Sequence, residues 1–168
     1  MAEPPIYLPE ITPDDYLEVY TLLEATTIPH LSGTNGRATS FGPHRAMTLG
    51  MIRARASKKY GLSANSKKYP ELYNAVMELG RRICPIPFSA IHINHNVVCP
   101  RHIDGNNSGK SVIVSLGDYE GGRLVVENYG EFDTNCHPIL FDGSKHYHWN
   151  TQLLGGNKYS LVFFHNSA

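Results

Sequence analysis

The sequence predicts an α+β fold, on three observations. Two helical apolar patterns lie in the first half, six short β-like runs follow in the second, and turns rich in Gly, Asn and Asp separate those runs. Helices first and strands afterwards place the helices outside a sheet sandwich or barrel. With 168 residues the chain has the size of one domain. Its helical N-terminal part covers about 1–87 and its β core about 88–168.

Thr12-Pro13-Asp14-Asp15 opens the first helix. Thr12 caps, proline fits the first turn, and the acids favour the positive end. Tyr16, Leu17, Tyr20 and Leu23 then recur at helical spacing up to about Ala25. Thr26 to His44 is rich in Gly, Ser, Thr, Asn and Pro and reads as a long loop, a length that often serves as a lid. Arg45–Leu49 reads as a short strand. Tyr69-Pro70-Glu71 begins a second helix with Leu72, Val76, Leu79 and Ile83 on one face, ended by Pro85. The six strands are Phe88–Val98, Ser111–Leu116, Arg123–Glu127, Pro138–Phe141, Lys145–Trp149 and Lys158–His165, punctuated by Gly121-Gly122, Asp142-Gly143 and Gly155-Gly156-Asn157.

Apolar residues make up 41% and charged residues 18% of the chain, the balance of an ordinary globular protein. Fifteen Lys and Arg balance fifteen Asp and Glu, so no overall field draws the chain to nucleic acid or an anionic membrane. Arg37, Arg45, Arg53, Arg55, Lys58 and Lys59 form a local positive excess that phosphates would meet, although scattered charge is more often a solvated face. Cys84, Cys99 and Cys136 are odd in number and contain no C-x-x-C pair, against a disulfide framework or structural zinc. The N-terminus lacks the order of a signal peptide, and no apolar run has membrane-spanning length. The expectation is an intracellular protein, cytoplasmic or nuclear, without a membrane partner.

His102-x-Asp104, His148 and Lys158-Tyr159-Ser160 carry the chemistry. On an extended segment His102 and Asp104 point to one side, and two imidazoles with one carboxylate can occupy one face of an octahedral iron(II), the facial-triad arrangement. With nine His in the chain, the pair alone is weak evidence. Lys158 and Ser160 add to it, since they share a face of a strand whose next residues, Leu161–Phe164, are apolar. A buried ammonium there needs a partner, and a bound carboxylate would provide one, with the Ser160 hydroxyl as second donor. The competing reading sets Lys158 at the exposed start of the strand.

The constellation resembles the Fe(II)- and 2-oxoglutarate-dependent dioxygenases, most strongly in HIDGNNSGKSVIVSLGDYEGGRLVVE and LFDGSKHYHWNTQLLGGNKYSLVFFH, over roughly residues 88–165. The resemblance implies a double-stranded β-helix, or jelly roll. It also implies iron on His102, Asp104 and His148, with the distal carboxylate of 2-oxoglutarate on Lys158 and Ser160. It implies hydroxylation of a substrate C–H bond with O2, releasing succinate and CO2. His146 competes with His148 for the third ligand position, since both face one way on an extended strand; the ten-residue step to Lys158 resembles the interval in prolyl-hydroxylase-like members and favours His148.

Other residues are weaker candidates. Ala90–Asn96 alternates, with His92, Asn94 and Asn96 on its polar side, and a polar face inside a barrel would let Asn94 contact the oxoacid; an edge strand with a wet face explains it equally well. Arg101, Asn106, Asn107, His146 and Trp149 are candidate substrate contacts around the ligands, Asn106 and Asn107 doubling as turn residues.

Within the family two branches compete. The run from His102 through Gly121-Gly122 resembles the TET/J-binding-protein oxygenases of nucleobase methyl groups, but that branch usually carries arginine where this chain has Lys158. The lysine resembles the prolyl 4-hydroxylases, which act on peptides. The alternative of a different class is a non-catalytic jelly-roll module that holds a metal or ligand.

Overall fold

The computed structural model describes residues 3–32, 41–54, 57–105 and 109–166. In chain order its elements are β1 (Ile6–Tyr7), α1 (Pro13–Glu24), β2 (His30–Leu31), β3 (His44–Arg53), β4 (Tyr60–Leu62), α2 (Ala64–Lys68) and α3 (Pro70–Ile83), then β5 (Ala90–His95), β6 (Ser111–Leu116), β7 (Tyr119–Gly121), β8 (Leu124–Val126) and β9 (Gly130–Phe132), and last β10 (Ile139–Phe141), β11 (His148–Asn150), β12 (Leu153–Gly156) and β13 (Tyr159–Phe164). Helix α1 starts where the acids predict: the Thr12 backbone N–H donates to Asp15 Oδ2 over 3.0 Å. Helix α3 begins at Pro70 and stops at Ile83, two residues before Pro85.

The strands form a jelly roll. The larger sheet runs β1-β10-β6-β13-β5-β3-β2, with β4 on β3. Opposite it lie the ladder β11-β8-β9 and the pair β12-β7, joined by backbone bonds from Thr151 to Arg123 and from Gly122 to Gln152. All pairings between named strands are antiparallel. Neighbours distant in sequence, such as β6 and β13, give the crossovers of two sheets wound together.

Alternation on the central strands divides the interior in two. Tyr159, Leu161 and Phe163 of β13 face the helices, where they join Leu23 of α1, Leu72, Val76 and Leu79 of α3, and Ile91 and Ile93 of β5 in the main core. Each such large side chain contributes about 1.5–3 kcal/mol by leaving water. Ser160, Val162 and Phe164 face the other way, into a cleft between the sheets. A smaller apolar cluster of Leu124, Val126, Ile139 and Phe141 holds the sheets together beside that cleft.

Several boundaries differ from the sequence reading. The N-terminal part is not helical throughout: β3 is ten residues long and pairs with β5 along Arg45–Gly50. It therefore belongs to the main sheet, and Thr26–His44 is interrupted by β2, which pairs with β3; the part of that expected loop over 33–40 lies outside the described residues. The strand expected over Lys145–Trp149 begins only at His148. Asp142 explains the delay, since its carboxylate accepts from the Ser144 backbone N–H at 3.0 Å and its carbonyl from the N–H groups of Lys145 and His146, closing a turn. No disulfide joins Cys84, Cys99 or Cys136. Among the described residues, no helix is long and apolar enough to cross a membrane.

Candidate metal centre

His102 and His148 face each other as an antiparallel bridge, His102 N–H donating to the His148 carbonyl at 3.0 Å and His148 N–H to the His102 carbonyl at 2.9 Å. Cross-strand pairing sets their rings on one side, with centroids 4.2 Å apart. Asp104, two residues on from His102, is fixed by its backbone N–H donating to the Gly143 carbonyl at 2.8 Å. Its Oδ1 lies 3.5 Å from His102 Nε2 and its Oδ2 3.6 Å from His148 Nε2. One ligand atom from each of the three residues falls within 4.8 Å of the others.

Backbone carbonyls hold the Nδ1 atom of each imidazole. His102 Nδ1 donates to the Pro100 carbonyl at 2.7 Å, and His148 Nδ1 to the His146 carbonyl at 2.8 Å. In a neutral ring, a proton held at Nδ1 puts the lone pair on Nε2, and both Nε2 atoms face the Asp104 carboxylate. Burial also pushes the His148 pKa down, toward the neutral form that a metal requires. Two neutral imidazoles and a carboxylate are the donor set of an iron(II) facial triad. Space is kept for this arrangement by Gly143: a Cβ there would run into Asp104 Oδ2 and come within 3.2 Å of His148 Cε1.

His146, the sequence alternative, is turned elsewhere. Its Nε2 bonds the Glu3 carbonyl at 2.8 Å and its ring meets Tyr129 edge-on at 5.3 Å. Only its backbone carbonyl serves the site.

A cleft extends from the triad between the sheets, lined by polar Asn94, Ser111 and Ser160 and by apolar Leu124, Phe141 and Val162. Asn94 pairs in register with Ser160 on the adjacent strand, so the polar side of Ala90–Asn96 faces inward. Lys158 precedes Ser160 by two residues on the same face of the chain and is 2% exposed, which overturns the reading that leaves it in water. Its Nζ donates to the Gly122 carbonyl at 2.5 Å and lies 5.6 Å from the Tyr119 ring centroid. Burial lowers its pKa to about 8.

The remaining candidates divide. Trp149 borders the cleft. Arg101 already has an anion: it forms a two-pronged pair with Glu127, at 2.9 and 3.1 Å, and stacks 3.8 Å over the Tyr147 ring. Asn106 and Asn107 lie outside the described residues. The sequence reading missed Phe41, whose ring meets His102 at 5.0 Å, and Asn150, whose Oδ1 accepts from the Cys99 N–H at 2.9 Å. It also missed the space-keeping role of Gly143. An Asp-Gly pair reads as a turn, and nothing in the sequence says what the turn packs against.

No protein-family model matches the chain, and no curated protein matches it in sequence. Solved structures do match in shape. NgTET1 in complex with 5mC DNA aligns with a TM-score of 0.66 at 13% identity, over 97% of this chain and 72% of that one. A 2OG-Fe(II) oxygenase family oxidoreductase from Burkholderia pseudomallei aligns at 0.62 and 17% identity, over 98% and 87% of the two chains. The chain has the fold of the Fe(II)/2-oxoglutarate dioxygenases. A prolyl hydroxylase from Trichoplax adhaerens, in complex with a hypoxia inducible factor peptide, shares this dioxygenase fold at a TM-score of 0.54 and 11% identity, over 96% of this chain and 83% of that one.

Proposed function

We propose that the chain is an Fe(II)- and 2-oxoglutarate-dependent dioxygenase that hydroxylates a C–H bond of its substrate. The carrying observation is the convergence of His102, Asp104 and His148, with both Nδ1 atoms tied to backbone carbonyls and both Nε2 atoms turned toward one carboxylate. In this reading those three hold ferrous iron. Iron so held supplies oxygen activation coupled to oxidative decarboxylation of 2-oxoglutarate to succinate and CO2.

The rest of the site does work that proteins do: binding, orientation and exclusion of water. Lys158 takes the distal carboxylate of 2-oxoglutarate, exchanging part of its bond to the neutral Gly122 carbonyl for an ion pair. Ser160 supplies a second donor and Asn94 a third polar contact from the neighbouring strand. Leu124, Phe141 and Val162 give the cleft a dry side, which strengthens every electrostatic contact inside it. Trp149 and the Phe41 ring stand at the triad end, where a substrate would approach.

Two substrate classes fit this reading, a nucleobase methyl group and a prolyl or other peptide residue. A coupled succinate assay with iron, run across methylated DNA, free nucleobases and proline-rich peptides, separates them. Succinate formation lost in His102→Ala and in Asp104→Ala supports the assignment. Turnover retained in either variant rejects the ligand set, and an absence of any iron-dependent turnover favours a non-catalytic binding module.

A further inference from the structure

The charges of this neutral chain are sorted. Residues 25–70 contain eight Lys or Arg and no Asp or Glu, which leaves seven Lys or Arg against all fifteen acids elsewhere. Six of the eight, Arg45, Arg53, Lys58, Lys59, Lys67 and Lys68, lie among the described residues, and all six are exposed. None of them has a carboxylate within 4.0 Å among the described residues. Outside the segment, Arg81, Arg82, Arg101, Lys110 and Arg123 all have one.

The fold gathers five of these six cations on one edge, while Arg45 lies at the far end of β3. Strands β3 and β4 pair from Met51–Leu62 to Arg53–Tyr60, so Arg53, Lys58 and Lys59 share the end of one hairpin. Arg53 Nη1 donates to the Lys58 carbonyl at 2.6 Å, and the Ala54 N–H to the Lys59 carbonyl at 2.9 Å, which fixes that end. Helix α2 is clamped to the same strand where Ser66 Oγ accepts from the Gly50 N–H at 2.8 Å. Gly50 is three residues from Arg53, about 10 Å along a strand, so Lys67 and Lys68 stand close to the hairpin. The other end of β3 starts at His44, three residues from the Phe41 ring that packs on His102. Ten strand residues span roughly 33 Å, a reach that joins the cationic end to the rim of the cleft.

We propose that the β3–β4 hairpin and the end of α2 form a binding strip for the phosphate backbone of a nucleic acid. Cations kept clear of carboxylates retain their full charge for a polyanion, and their spread along an edge matches a chain of phosphates better than a single anion. An anionic membrane fits less well, because interfacial binding also needs apolar side chains to insert. Among the described residues, Leu62 is the only exposed large apolar side chain on these elements. The inference goes beyond the oxygenase reading and stands without it.

Binding of a fluorescently labelled 20-base-pair DNA duplex, followed by anisotropy between about 50 and 200 mM salt, tests the strip. Neither iron nor 2-oxoglutarate is needed, so failure here and failure of the proposed activity are separate results. Each neutralised phosphate contact contributes about 0.9 to the slope of log affinity against log salt. Lys58→Gln/Lys59→Gln/Lys67→Gln/Lys68→Gln should therefore flatten the slope by about 3 to 4. The doubles Lys58→Gln/Lys59→Gln and Lys67→Gln/Lys68→Gln should each remove about half of that, which keeps the test independent of how the quadruple variant folds. Arg81→Gln/Arg82→Gln, on α3, should leave the slope unchanged. The strip is overturned by absence of binding at low salt, by a slope that the lysine changes do not alter, or by an equal loss in the α3 control. Tighter, lysine-dependent binding to phosphatidylserine vesicles than to the duplex overturns the nucleic-acid assignment.

Discussion

His148 Nδ1 donates to the carbonyl of His146 at 2.8 Å, while the His146 ring turns away to the Glu3 carbonyl. Two histidines in one short segment thus contribute different parts of themselves, one its imidazole and the other its backbone. A side-chain substitution at His146 leaves the carbonyl in place. His146→Ala should keep metal affinity within about tenfold of the parent, below the usual 10–100-fold cost of losing an outer partner of a ligand. His148→Ala should abolish metal binding. Titration calorimetry with Fe(II) under anaerobic conditions, or with Mn(II) as a redox-stable probe, checks both. Equal loss in the two variants would remove the distinction drawn from their geometry.

Lys158 carries a pH dependence whose sign follows from its burial. Its pKa falls from 10.5 to about 8, chiefly by desolvation and against the smaller opposing pull of Cys99 and Asp133. The unfolded chain keeps the proton up to its ordinary pKa, so between about pH 8 and 10.5 the unfolded state binds more protons than the folded one. The contribution of Lys158 to stability therefore rises with pH across that window, by up to about 3 kcal/mol. Lys158→Met should flatten that part of a urea-melt pH profile.

The same titration should govern co-substrate binding with the opposite sense. A dicarboxylate needs the charged lysine, so the dissociation constant of 2-oxoglutarate should rise about tenfold per pH unit above pH 8. Lys158→Ala should raise the apparent Michaelis constant for 2-oxoglutarate across the whole range and remove that dependence. A constant unaffected by the substitution would leave Lys158 as a structural partner of Gly122 alone.

These residues also mark how far the sequence could be read. Helices α1 and α3 were legible because proline and the apolar period agree in each, with Thr12 as a cap for α1, whereas α2, only five residues long, was not. β6 was legible to the residue, since Ser111–Leu116 is an apolar run bounded by turn residues. Short strands such as Gly130–Phe132 and Tyr60–Leu62 were not, because three residues show no period and are defined by their partners. The three candidate ligands could be named because ligand chemistry restricts residue types and because the His102-x-Asp104, His148 and Lys158 spacing resembles a known family. The ten-residue step to Lys158 favoured His148 over His146, whereas the turning of the His146 ring to Glu3 and the burial of Lys158 against the Gly122 carbonyl are tertiary facts.

Gly143 offers a test of how tightly the triad is built. Gly143→Ala introduces a methyl group that runs into Asp104 Oδ2 and crowds His148 Cε1. The Asp104 backbone is held by its bond to this same residue, so the carboxylate yields by rotating its side chain, which turns its oxygens away from the two imidazoles. Metal affinity should fall by about 10–100-fold, the range found when a ligand's orientation is disturbed. The overall fold should persist, because the methyl group meets the site and not the main core. Circular dichroism together with metal titration separates the two effects; unchanged affinity would mean that the triad has slack.

Gly80 applies the same reasoning to stability. It lies inside α3, where alanine would ordinarily improve helix propensity by about 1 kcal/mol. Here a Cβ would run into Phe88 Cζ and come within 2.8 Å of Phe163 Cε1. These two rings pack edge to face at 5.3 Å; Phe163 is fully buried and cannot swing aside, and half-buried Phe88 would have to give up this contact to do so. Overpacking a core costs about 1–3 kcal/mol, which exceeds the propensity gain over most of its range. Gly80→Ala should therefore destabilise the protein by up to about 2 kcal/mol net, seen as a lower urea midpoint at unchanged slope. Gly80→Ala combined with Phe88→Leu, which opens space beside the new methyl group, should recover part of the loss. A stabilised single variant would show that the helix can shift away from the sheet at little cost.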